Sequence, residues 1–274
     1  MEATDYTYTE LKDTRSGFGA AMDYLGQSDE RVVALCADLT GSLKLNDFAK
    51  NHPDRFFQAG IAEANMMGVA AGLTIGGKIP FATTFANFAT GRVYDQIRQS
   101  IAYSGKNVKI AASHSGVTLG EDGATHQILR PKVPVFMPKD GFEIGKAIKL
   151  VEGSDVTIIA TGHLVWESIE AAKTLKEQGI SAEVLNIHTI KPLDADDILR
   201  SASKTKAVVT AEEHQMLGGL GGSVAQLLST ELPTKMAIVG VNDSFGESGK
   251  PEQLMKKYGI YRDDIVASAL RLLK

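Results

Sequence analysis

The sequence predicts an α/β protein of two consecutive domains, each a mostly parallel sheet flanked by helices. Three observations predict it. Short runs of Val, Ile, Leu and Ala alternate with longer helical patterns along the whole chain, which is the order that crossover helices between parallel strands produce. The 274 residues are about two domains' worth of chain. Between the halves, Arg130–Phe142 (RPKVPVFMPKDGF) holds three of the eight prolines and has neither a helical nor a strand period. It reads as an extended linker, and the division expected is 1–130, a linker at 131–142, and 143–274.

Each element follows from its own pattern. Gly17–Leu25 is amphipathic, and Arg31–Cys36 (RVVALC) reads as a buried strand. Arg55–Ala59 is a second short strand. Ile61–Leu73 (IAEANMMGVAAGL) is apolar on almost every face, which marks a helix buried all round. Ile79–Thr84 is a strand, Asn87–Ser104 a helix with Val93, Ile97 and Ile101 four apart, and Val108–Ala112 a strand that runs into a glycine-rich loop. After the linker the alternation restarts. Strands are expected at Asp155–Ala160, Ala182–Asn186, Ala207–Ala211 and Lys235–Val241. Helices are expected at Trp166–Gln178, Asp194–Ser203, Gly222–Ser229, Pro251–Tyr258 and Arg262–Leu273.

Composition removes several functions. Lys and Arg number 29 against 33 Asp and Glu, a net charge of −4. A nucleic-acid or membrane-surface protein would show a basic excess. The single cysteine, Cys36, rules out a disulfide scaffold and a cysteine-rich zinc site. No apolar run is long enough to span a bilayer, and the acidic start MEATDYTYTELKD is no secretory leader. A cytoplasmic protein is expected.

Four groups of residues carry possible chemistry. Glu63 is the only ionisable side chain between Arg55 and Lys78, in the first turn of the most apolar helix. A buried acid can share a proton with a ligand nitrogen. The plainer reading, a glutamate stabilised by a helix N-terminus, is favoured on composition alone. Phe81, Phe85 and Phe88 form either a stacking surface for a flat ring or ordinary core. Ser113–Gln127 (SHSGVTLGEDGATHQ) packs two histidines, two carboxylates and three glycines into a loop after a strand, where open α/β sheets bind ligands. His114 and His126 lie twelve apart, which suits hydrogen bonding and not a zinc pair. Met216–Gly222 (MLGGLGG) fits no phosphate-loop spacing, and close strand–helix packing explains it better. Glu212, Glu213 and His214 before it are interface or structural groups.

With these residues assembled, the chain resembles the C-terminal half of transketolase, in the form divided between two subunits. The resemblance rests on FQAGIAEAN (Phe57–Asn65), Phe81–Phe88, HSGVTLGEDGATHQ, LNIHTIKPLD and the AEEH stretch with its glycines. It implies thiamine diphosphate as cofactor, with Glu63 bonded to the N1′ nitrogen of its aminopyrimidine and Phe85, with Phe88, stacked on that ring. Asp38 would line the cofactor pocket. His114 and His126 would contact the sugar and move protons, Asp122 would bind a substrate hydroxyl, and Arg15, Ser42 and Arg130 would grip a sugar phosphate. The implied reaction is transfer of a two-carbon ketol unit between sugar phosphates of the pentose phosphate pathway.

In that family a Gly-Asp-Gly motif and a later Asn pair hold Mg²⁺ and the diphosphate, and this sequence has neither. The resemblance therefore implies an N-terminal transketolase subunit as partner, with Mg²⁺ bound through it, and two-fold self-association into a heterotetramer. The chain also reads as shortened after Gln127, where the family has a further helix–strand–helix–strand before the Arg-Pro linker. Two other readings stand beside this one: a 2-oxo acid dehydrogenase β-like subunit, and a non-catalytic scaffold that keeps the fold.

Overall fold

The computed structural model describes residues 13–115 and 142–274, which belong to two compact units. The expected linker at 131–142 lies outside the described residues except for Phe142.

In the first unit, helix α1 (Thr14–Ser28) starts at Asp13, whose carboxylate accepts the Ser16 backbone N–H at 2.9 Å and satisfies one open donor of the first turn. Strand β1 (Val32–Cys36) follows, then α2 (Asn46–Asn51), β2 (Phe56–Gln58), α3 (Glu63–Ile75), β3 (Ile79–Phe85), α4 (Ala86–Thr90), α5 (Tyr94–Gln96) with a π-helical segment at Ile97–Tyr103, and β4 (Lys109–Ser113). The strands form one parallel sheet in the order β2-β1-β3-β4, with Ala34 opposite Phe56 on one side and Phe81 on the other. Alternation along β1 feeds two cores. Val33 and Leu35 meet Met66, Met67 and Ala70 of α3, while Val32, Ala34 and Cys36 meet Met22, Leu43, Leu45 and Phe48.

Two expectations need correction here. The helix predicted over Asn87–Ser104 is broken between α4 and α5, where Val93 leaves helical geometry at φ −123°. The apolar spacing continued across the break and hid it. The helix expected to be buried all round, α3, is buried on one side only; Asn65, Gly68, Val69, Gly72 and Ile75 face outward. Uniform apolarity does not distinguish a core face from a face awaiting a partner.

The second unit runs β5 (Ile148–Val151), β6 (Val156–Ala160), α6 (Leu164–Glu177), β7 (Ala182–Asn186), α7 (Ala195–Thr205), β8 (Ala207–Gln215), α8 (Leu220–Glu231), β9 (Lys235–Val241), α9 (Pro251–Lys257) and α10 (Arg262–Leu273). The sheet order is β5-β7-β6-β8-β9, parallel except for β5, which runs antiparallel to β7. β6 and β7 are buried throughout, as sheets covered by helices on both faces require. The two α/β units with mostly parallel sheets agree with the fold class expected from the sequence.

Candidate active site

In the first unit the chain moves from β1 to β2 on one side, then crosses to β3 on the other. Ligands bind in such sheets beyond the strand ends, at this reversal. Asp38 lies just past β1, Glu63 opens α3 after β2, Phe85 ends β3, and His114 follows β4. Four sequence-predicted residues, spread over 77 positions of chain, thus reach one rim because each terminates a parallel strand or begins the helix after one.

Contacts connect most of them. Glu63 is 4% exposed, and its Oε1 lies 3.1 Å from Nη1 of Arg92. The Arg92 guanidinium sits over the Phe88 ring, 4.1 Å from its centroid. Phe88 and Phe85 are near-parallel, with centroids 6.0 Å apart at 22°. Phe85 meets the His114 imidazole at 4.0 Å. His114 Nε2 is 3.3 Å from Arg15 Nη1, and that same nitrogen of Arg15 donates to the Ser42 carbonyl at 2.8 Å. Glu63, Phe88, Phe85, His114, Arg15 and Ser42 therefore form a continuous line of contact, closed by Arg92. Both phenylalanines also belong to the core around Phe48, so stacking surface and core are one structure here.

The donors in this line can be assigned. Guanidinium only donates, so Nε2 of His114 accepts from Arg15 and Nδ1 carries the proton toward Ser113 Oγ, 2.5 Å away. The Arg15 Nε is buried and makes no hydrogen bond among the described residues. Gly19 fixes the approach of α1 to the Ser42 loop: a Cβ there would lie 2.2 Å from the Lys44 carbonyl oxygen. Asp38 and His114 both adopt left-handed backbone, at φ 57° and 64°. Such strain in non-glycine residues concentrates at functional sites. The Asp38 N–H donates to Gln58 Oε1 at 2.7 Å, and Gln58 in turn donates to Thr40, so the β2 end braces the β1 end.

Asp122, His126 and Arg130 lie outside the described residues. Sequence reasoning missed Arg92, Gln58 and Ser113. It also treated Glu63 as a lone acid, and Arg92 corrects that. The cation comes from 29 positions further on, within the helix break that the sequence pattern concealed.

The second unit has a comparable rim at the ends of β6 and β8, but its acids turn inward. Glu212 accepts the N–H groups of Leu220 at 2.9 Å and Gly221 at 2.8 Å, filling the N-terminus of α8 with the chain's own carboxylate. Gly219 permits this, since a Cβ there would lie 2.1 Å from Glu212 Oε2. Close packing is thus the right account of the MLGGLGG turn. Burial works against charge on Glu212, but His214 and those two N–H groups outweigh it and hold the carboxyl below its ordinary value. Burial pushes Glu213 up to about 8 and His163 down to about 4. Among the described residues, Oε2 of Glu213 and Nδ1 of His163 have no hydrogen-bond partner.

The parallel sheet of the first unit thus carries a buried acid, a pair of phenylalanines, an imidazole and an arginine along one rim. Residues 10–161 match the transketolase pyrimidine-binding domain and residues 145–265 the transketolase C-terminal domain. The chain belongs to the transketolase family, whose members depend on thiamine diphosphate, and it is a transferase-type subunit corresponding to the C-terminal part of a divided transketolase.

It is 41% identical to a putative transketolase C-terminal section of Methanocaldococcus jannaschii, over 96% of this chain and 97% of that one. It is 42% identical to the 6-deoxy-6-sulfo-D-fructose transketolase subunit SqwH of Clostridium sp. strain MSTE9, over 89% of each. A solved split-gene transketolase, described as an inactive beta4 tetramer, superposes with a TM-score of 0.86 at 43% identity, covering 95% of this chain and 98% of that one. These likenesses do not favour the dehydrogenase-like or the non-catalytic reading.

Proposed function

We propose that this chain, together with a separate N-terminal subunit, transfers a two-carbon ketol unit between sugar phosphates. The continuous line from Glu63 through the phenylalanines to His114 and Arg15 carries the reading, because it sets an acid, a stacking face, an imidazole and a cation in the order the reaction needs.

The residues fit a bound aminopyrimidine. The Arg92 guanidinium, itself flat and nitrogen-rich, already rests on Phe88 and against Glu63, so a flat nitrogen-bearing group is accommodated there. Thiamine diphosphate, when bound, supplies the electron sink for breaking and making the carbon–carbon bond. Glu63 would hold the proton at the pyrimidine N1′ position, in a pocket from which water is largely excluded. Phe85 and Phe88 would fix the ring plane, and Asp38 would border the pocket from the end of β1. His114, oriented by Ser113 through Nδ1, presents Nε2 to a sugar hydroxyl or carbonyl once Arg15 turns to substrate. The Arg15 Nε, buried and ion-paired with Asp13 at 3.6 Å without a hydrogen bond, could turn its N–H to a phosphate oxygen, and Ser42 would sit beside it. His126, Asp122 and Arg130 are assigned to the same substrate by resemblance alone.

Mg²⁺ and the diphosphate are assigned to the N-terminal subunit, since this sequence lacks the Gly-Asp-Gly motif and Asn pair. The outer face of α3 supports assembly: Gly68, Val69, Gly72 and Ile75 form an exposed surface without charge. A two-fold heterotetramer, a place in the pentose phosphate pathway and a cytoplasmic location complete the reading. Among the described residues no helix is long and apolar enough to cross a membrane.

The test mixes the chain with an N-terminal subunit carrying Gly-Asp-Gly, thiamine diphosphate and Mg²⁺, and assays ketol transfer. Activity is expected only in the mixture, and Glu63→Gln should lower it by about a hundredfold or more. A fully active lone chain would overturn the two-subunit reading. An unchanged rate in Glu63→Gln would overturn the role of Glu63.

A further inference from the structure

Arg92 makes the two contacts that the site appoints for an aminopyrimidine. Its Nη1 donates to Glu63 Oε1 at 3.1 Å, and its guanidinium carbon lies over the Phe88 ring, 4.1 Å from the centroid. Guanidinium and aminopyrimidine share the features that matter for this recognition: flatness, a face that stacks on an aromatic ring, and nitrogen aimed at a carboxyl oxygen. Both cannot hold the same oxygen and the same ring face together.

The elements packed on α3 carry other titratable groups, namely Cys36 on β1, Tyr94 and Asp95 on α5, and Arg98 and Tyr103 on the π-helical segment. Among the described residues, Arg92 alone forms an ion pair with Glu63. Both contacts of Arg92, with Glu63 and with Phe88, are made by the guanidinium. The Arg92 side chain is 52% exposed while that of Glu63 is 5% exposed, and Arg92 lies in the turn between α4 and α5, where regular helix does not fix it. Solvent beside the site can receive it.

We infer that Arg92 is an internal placeholder: in the ligand-free chain it keeps the buried Glu63 carboxylate paired and the Phe88 face covered, and cofactor binding requires its displacement. This rests on the proposed aminopyrimidine site and adds a competitor to it. A residue that gripped the cofactor would strengthen binding, whereas a placeholder weakens it. The sign of one mutational effect decides between them.

The experiment titrates thiamine, which carries the aminopyrimidine without the diphosphate, into the full chain and follows binding by ligand-observed NMR. Wild type, Arg92→Met, Arg92→Lys and Glu63→Gln are compared. Methionine keeps an apolar stem near Phe88 but cannot pair with Glu63, and lysine restores the charge without the planar stack.

The expected result is that Arg92→Met binds thiamine about fivefold to tenfold more tightly than wild type, Arg92→Lys falls between them, and Glu63→Gln binds more weakly. Tightening is not what damage to the fold produces, and partial reversal by lysine ties the effect to the charge. If Arg92→Met binds with equal or lower affinity while Glu63→Gln still weakens binding, the placeholder is wrong and the aminopyrimidine site stands. If Glu63→Gln leaves affinity unchanged, or no chain binds thiamine at about 10 mM, the site itself is wrong and the placeholder falls with it.

Discussion

Buried ionisable side chains decide most of what can be measured on single residues. In the second unit, Glu213 keeps its proton up to about pH 8, whereas an exposed glutamate releases it near 4.5. The folded state binds more protons in that interval, so stability falls as pH rises from about 4.5 to about 8 and then levels off. His163 acts in the opposite sense. Its folded value of about 4 lies below the ordinary 6.5, so stability falls as pH drops from about 6.5 through about 4. Where the two windows overlap the effects oppose each other; above about 6.5 the alkaline loss comes from Glu213 together with His214, where burial is outweighed by Glu212 and Glu213, which hold it above its ordinary value. Thermal melts of Glu213→Gln are expected to show a smaller drop between pH 6.5 and 8 than wild type. An equal drop would show that Glu213 is not its source. In the first unit, Arg15→Lys should raise KM for a sugar phosphate about tenfold with kcat less affected, because lysine lacks the bidentate fork. A change confined to kcat would argue against phosphate binding at Arg15.

At the scale of elements, the ends matter more than the middles. Asp13 caps α1, and Arg15 projects from the first turn of that helix. Asp13→Ala should lower stability by about 1 kcal/mol, measurable by urea unfolding, and should loosen the arginine's hold on Ser42. The outer face of α3 is the other sensitive place. Val69→Lys is expected to leave the melting of the single chain nearly unchanged and to weaken assembly in sedimentation experiments, since position 69 is exposed in the chain by itself. Elements were legible in the sequence in proportion to their regularity. Ala182–Asn186, Lys235–Val241 and Arg262–Leu273 match their expected spans because uninterrupted apolar period and clear punctuation coincide there. The antiparallel β5 and the six-residue α2 were not legible, being short and without period. The break before α5 was hidden because Val93, Ile97 and Ile101 keep helical spacing across it.

Over the whole molecule, the sequence named the residues proposed for the site but not the contacts that join them. Glu63, Phe85, Phe88, His114, Arg15 and Ser42 were all identifiable from motif resemblance. Arg92 was not, because an arginine in GRVYDQIR has no local mark of burial or pairing. Its partner is set by tertiary approach and not by spacing. β4 pairs with β3 on one side only among the described residues, and its own residues are half-exposed or exposed. An uncovered strand edge invites pairing with other chains. The isolated chain should therefore self-associate with rising concentration, and Ala111→Pro, which removes a ladder donor, should reduce this in light scattering. Concentration-independent scattering of the wild type would count against an open edge.

The backbone at Asp38 and His114 has a practical corollary for anyone breeding a hardier form of this protein. Glycine accepts the left-handed turn at these two sites more readily than aspartate or histidine does. A library ranked by heat resistance alone would favour Asp38→Gly and His114→Gly on backbone grounds while discarding the side chains proposed to face the ligand. Selection schemes should freeze both positions, or score turnover alongside survival.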